Sequence, residues 1–141
     1  SQYGNEWLTG FENTASYKID SSSGESLVES FYKLYLATYC SMCSDLNSKL
    51  QSFRLSHLSH TALEQFKKVE LENLQDGFGG YDLLITNFDF DSMWFYSLKV
   101  VPLEPDNYQV TYQAGKYTHQ INIQVAYRDG RYWINAITGV R

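Results

Sequence analysis

Residues 108–138 read YQVTYQAGKYTHQINIQVAYRDGRYWINAIT. Tyr108, Val110 and Tyr112 alternate with Gln109, Thr111 and Gln113. Further on, Ile121, Ile123, Val125 and Tyr127 alternate with Gln120, Asn122 and Gln124. Successive side chains of a strand point to opposite faces, so this pattern describes strands with one dry face and one wet face. Ala114-Gly115 turns the chain between two of the runs. Asp129-Gly130 is a strong type I′ hairpin signal, because both central residues of that turn need positive φ. Tyr132, Trp133 and Ile134 belong to a final strand that ends near Thr138. Consecutive strands joined by tight turns form an antiparallel meander, and its apolar face requires a cover.

Upstream, the period of two extends back to about residue 95: Tyr96, Leu98 and Val100 alternate with Phe95, Ser97 and Lys99, until Pro102 and Pro105 interrupt the run. Before that the period is helical. Leu27, Phe31, Leu34, Tyr35 and Thr38 fall on one helical face, with Ser26 and Glu29 spaced as a capping box. A second stretch places Leu46, Leu50 and Phe53 on one side. A third begins at Ser59 as N-cap, with Ala62, Leu63, Phe66, Val69 and Leu74 on one face, and ends at Gly77, Gly79 and Gly80. These helices supply the cover. The expected fold is α+β: N-terminal helices packed on a curved antiparallel β-meander. Residues 1–25, rich in Ser, Asn and Gly, read as a flexible segment, and residues 26–141 as one α+β domain.

Composition narrows the classes of function. At 141 residues the chain can bury a core without help from metal or disulfide. The net charge of −5, with no run of Lys or Arg, disfavours nucleic acid and anionic membrane as partners. No apolar stretch is long enough to span a bilayer. The Ser-rich start reads as a mature N-terminus following an export signal, in the periplasm or cell envelope, with a lipoprotein as one form. Aromatic residues make up 16% of the chain, which suits half-wet strands and also pockets for mixed ligands.

The segment from Tyr81 to Trp94, YDLLITNFDFDSMW, resembles the central motif of a family of small exported bacterial proteins of unknown function. That family has the nuclear-transport-factor-2-like, cone-shaped (cystatin-like) α+β fold. Tyr81, Asp82, Asp89, Phe90, Asp91 and Trp94 match. Gly80, Leu83 and Phe88 stand where the family has an acid, a proline and an amide. Leu58-Ser59 to Phe66 and the ending Gly130, Tyr132, Ile134 and Ile137 resemble the family as well. The resemblance implies the cone fold and assigns no activity, since the fold hosts isomerases, dehydratases, ligand binders and interaction modules.

The candidate pocket residues are Tyr81, Asp82, Asp89, Asp91, Trp94, Tyr96, Tyr112 and His119. Asn87, Asp89 and Asp91 share a face if extended, but Ser92 and Leu98 stand where a calcium loop needs Gly and Glu. Their simpler role is to bond local backbone amides. An acid–base alternative pairs Asp82 or Asp89 with the phenol of Tyr96 or Tyr112, the carboxylate taking a proton and the phenol stabilising an oxyanion. His119 falls on the same face as Ile121 and Ile123, near a strand end, where it is either a pocket residue or a solvated one. Cys40 and Cys43, at the end of a helix, lack the helix N-terminus that lowers a redox thiol's pKa. They form a local disulfide or remain two half-buried thiols. With His57 and His60 they approach zinc-finger spacing, but the histidines are one residue too close and no hairpin carries the cysteines. No nucleophile motif, phosphate loop or dinucleotide fingerprint occurs, so no catalytic residue, metal or cofactor is assigned. The sequence supports a non-catalytic ligand-binding or protein-interaction module. The alternatives are an isomerase- or dehydratase-type enzyme with an Asp–Tyr pocket, and an inhibitor-like partner of an envelope protein or a homodimer.

Overall fold

A computed structural model describes residues 19–41, 44–77, 82–85 and 93–138. Helices α1 (Gly24–Ser41), α2 (Leu46–His57) and α3 (His60–Gln75) come first. A single helical turn, α4 (Met93–Ser97), leads into strands β1 (Lys99–Glu104), β2 (Asn107–Ala114), β3 (Tyr117–Arg128) and β4 (Arg131–Thr138). The strands pair in sequence order, all antiparallel. The protein is therefore α+β, with helices against a four-stranded antiparallel meander.

The turns follow their residues. Asp129 and Gly130 have φ of 54° and 82°, the pair of positive values that a type I′ turn needs. Gly115 has φ 63° at the β2–β3 turn. Pro102 sits in β1, an outer strand of the sheet, the place in a sheet where a missing N–H is tolerated. A bulge between Gln124 and Val125 shifts the β3–β4 register and adds local twist.

The inner sheet face carries Val110, Tyr112, Ile121, Ile123, Val125, Ile134 and Ile137, all buried. Helix α1 lies on it with Leu27, Val28, Phe31, Tyr32 and Tyr35. Its start fits closely: a Cβ on Gly24 would come within 2.8 Å of Tyr108 Oη and 2.9 Å of Val125 Cγ2. The junction of α2 and α3 is tied to the other outer strand. Leu58 bridges Ile134 in parallel, and Ser59 N–H donates to the Ile134 carbonyl at 2.8 Å.

Three expectations are corrected. The cap of α1 is Ser23, whose hydroxyl accepts from Ser26 N–H at 3.1 Å; Ser26 itself lies inside the helix. Residues 95–97 are helical, and β1 begins only at Lys99. In that turn Trp94 enters the core against Tyr112, with ring centroids 4.7 Å apart. Leu74 is 60% exposed, because α3 buries Ala62 and Phe66 in its first turns and not its last. Ser59 does cap α3 as expected, accepting from Ala62 N–H at 3.3 Å, but it also bonds Asn135 across to β4 at 2.8 Å. Gly79 and Gly80 lie outside the described residues.

Candidate functional site

The polar centre of the interior is Asp82, 4% exposed. Its Oδ2 accepts from the phenols of Tyr35 (2.6 Å) and Tyr39 (2.5 Å), and its Oδ1 accepts from Leu84 N–H (2.9 Å). Tyr35 in turn accepts from Arg54 Nη1 at 2.6 Å. The guanidinium of Arg54 lies over the Phe66 ring, 4.4 Å from its centroid, so an α2–α3 contact holds it in place. Tyr35 and Tyr39 are four residues apart on α1 and so project from the same face. Two more phenols secure the same short segment. Tyr32 donates to the Leu84 carbonyl at 2.7 Å, and Tyr112 donates to the Ile85 carbonyl. Leu83, Leu84 and Ile85 are buried.

Burial pushes the Asp82 carboxyl above the ordinary aspartate range. The bonds from Tyr35 and Tyr39, the Arg54 charge and the Leu84 N–H pull the other way. The phenols of Tyr32, Tyr35 and Tyr39 are pushed up, first by burial and then by the Asp82 charge. They stay protonated and act as donors.

The expected pocket residues fall into separate places. Asp82 is at the centre of the network, but its partners among the described residues are Tyr35 and Tyr39, not Tyr96 or Tyr112. Tyr112 is spent on Ile85 and on two ring contacts, with Trp94 and with His119, the latter stacked at 5.0 Å and 8°. His119 thus faces inward, paired across from Tyr112, as parity required. Tyr96 lies on the outer side of α4, partly exposed, its ring edge-on to Phe95. Tyr81, Asp89, Asp91, Cys43 and the side chain of Cys40 lie outside the described residues. His57 bonds the Phe53 carbonyl through Nδ1 at 3.0 Å, and His60 pairs with Glu64 at 2.7 Å. Among the described residues no cluster of His, Cys, Asp and Glu is arranged to hold a metal, and no helix is long and apolar enough to cross a membrane.

The residues that sequence reasoning missed are Tyr35, Tyr39 and Arg54. A signal was available. Tyr32, Tyr35 and Tyr39 lie at i, i+3 and i+7 in the apolar stripe of a helix, and a buried phenol calls for a polar partner.

Two clefts of the surface lie away from this network, and a third reaches it at Arg54 and Phe66. One, of about 180 Å³, sits between the α2–α3 junction and the β3–β4 hairpin, with Trp133 and Asn135 among its walls. Another follows the seam of α1 and β1, and a third the groove between α2 and α3.

No family model matches the chain, and no curated protein matches it. Among solved structures, a protein of unknown function from Bacteroides thetaiotaomicron VPI-5482 is similar. It is 22% identical, the alignment covers 98% of each chain, and the TM-score is 0.70. At that identity the likeness is one of fold.

Proposed function

We propose that this chain is a non-catalytic binding or interaction domain that recognises its partner or ligand with its surface, on a cone of the nuclear-transport-factor-2-like type. The observation that carries this reading is the state of Asp82. The one buried carboxylate among the described residues has both oxygens occupied by donors from the protein itself, beneath an interior filled by Phe31, Tyr32, Tyr35, Trp94 and Tyr112. A general base needs an oxygen within reach of a substrate proton. Here the carboxylate fastens the segment Asp82–Ile85 to α1. The cone type is supported by helices that precede a meander and by an inner face covered by the first helix. Export is supported by the resemblance of the segment from Tyr81 to Trp94 to a family of small exported bacterial proteins.

One observation favours the isomerase-type alternative. The carboxylate with two phenols at 2.6 and 2.5 Å is the residue set that enolisation chemistry uses. Asp82→Asn separates the two readings. A fastening role predicts lower stability with surface ligand binding unchanged. A turnover or a ligand affinity that disappears in Asp82→Asn while the fold persists by circular dichroism overturns the non-catalytic reading.

A further inference from the structure

We infer that the free face of α3 binds a second copy of this chain, the two α3 helices packing antiparallel about a two-fold axis. The inference rests on the reading of the chain as a surface-binding domain and names the partner of one of its surfaces.

Helix α3 uses one side for the fold. Ala62 and Phe66 are buried, and the Gln65 amide holds the β4 backbone with both of its polar atoms, accepting from Ile137 N–H at 2.9 Å and donating to the Ile137 carbonyl. Those contacts fix the rotation of the helix. An adjacent face carries Leu63, Lys67, Glu70 and Leu74, spaced four, three and four, so all four lie along one line of the helix. Leu74 is exposed, as are Leu71 beside it and Leu55, which adjoins Leu63 at the α2–α3 groove. Leu55, Leu71 and Leu74 are each more than half exposed, an apolar patch that the described residues leave open.

The order of residues in the stripe selects what covers it. Leu–Lys–Glu–Leu at intervals of four, three and four is symmetric under reversal about the point midway between Lys67 and Glu70. An antiparallel second α3 centred there sets Leu63 against Leu74 of the second copy, and Lys67 against Glu70 of the second copy. Each contact occurs twice, as a two-fold interface requires. A parallel pairing would instead oppose lysine to lysine and glutamate to glutamate. Among the described residues neither Lys67 nor Glu70 has an ion-pair partner within the chain. The chain carries a net charge of −5, so copies repel each other over much of their surface. The stripe is neutral, and each of its charges meets its opposite.

Area sets the strength. The 16 residues of α3 span about 24 Å, and with α2 alongside the face is about 20 Å wide, or about 500 Å² per copy. The pair buries about 1,000 Å², the lower bound for a specific interface, so the dimer should be weak, with a Kd on the order of 10 μM.

The test is sedimentation velocity of the 141-residue chain at concentrations from about 1 to about 500 μM, a range that brackets such a Kd. The expected result is a dimer that grows with concentration. Leu74→Asp, at an exposed position, should weaken it at least about tenfold with the circular dichroism spectrum unchanged. Lys67→Glu and Glu70→Lys should each weaken it as much, because each opposes like charges at both contacts. An equimolar mixture of those two variants should restore it as a heterodimer, since every contact then joins opposite charges. A chain that stays monomeric at every concentration overturns the inference and leaves the surface-binding reading standing, because that reading fails on the Asp82→Asn assay alone. A dimer indifferent to Leu74→Asp, or a mixture of the charge variants that stays monomeric, overturns the inference as well.

Discussion

Removing one oxygen tests whether the buried network holds α1 to the Asp82–Ile85 segment. Tyr35→Phe keeps the ring, its stacking on Phe31 at 5.3 Å and the local volume, so no cavity forms. It deletes the donor to Asp82 and the acceptor of Arg54, both at 2.6 Å. Hydrogen bonds to charged groups contribute about 1.5–3 kcal/mol each. Arg54 is only half-buried, so water can replace part of its lost acceptor. Asp82 is buried and has no such replacement. The sum is a loss of about 3 kcal/mol, which corresponds to a fall in melting temperature of about 10 °C for a domain of this size. Tyr39→Phe removes a bond of similar length from a half-buried phenol and should cost only about 1 kcal/mol, since water reaches that side. The assay is equilibrium urea unfolding by circular dichroism, run as a double-mutant cycle with Asp82→Asn. The cycle should show coupling of at least about 1 kcal/mol. If Tyr35→Phe costs no more than Tyr39→Phe, and its effect adds independently to that of Asp82→Asn, the network is not what holds the segment.

Two further outcomes follow from the same geometry. Because burial raises the Asp82 carboxyl in the folded chain, the folded state keeps a proton that the unfolded chain releases. The contribution of Asp82 to stability should therefore be complete below about pH 4, the unfolded value, and decline as pH rises through the folded value. In urea titrations at stepped pH, the gap between the native chain and Asp82→Asn should narrow on going from acid to neutral, and a gap that widens would refute the sign. Gly24→Ala places a methyl against Tyr108 and Val125 at under 3 Å. It should destabilise by about 1–3 kcal/mol despite alanine's better helix propensity, and a thermal melt showing a stabilised variant would contradict the close seat of α1 on the sheet.

The sequence by itself determined the elements whose causes are local. Alternation over residues 108–138 and the turn residues Gly115, Asp129 and Gly130 set the hairpins, because side-chain parity and positive φ are properties of neighbours. Ser59 was legible as a cap for the same reason. Residues 95–97 were not legible as a helical turn: a run that short carries no decisive period, and burial of Trp94 against Tyr112 selected the turn. Leu74 looked like a core residue because periodicity reports a face but not how far along it the sheet extends.

Only the tertiary structure decided what Asp82 does. Its phenol partners lie 47 and 43 residues away, and the cation behind them is on a different helix. The sequence pointed to Asp82 and to a phenol, but it paired the carboxylate with strand tyrosines. The packing of α1 brought Tyr35 and Tyr39 to it first. The Trp133 cleft is likewise a product of assembly. Its two walls are the α2–α3 junction and the β3–β4 hairpin, which meet through the Leu58–Ile134 bridge, a contact that no local pattern encodes.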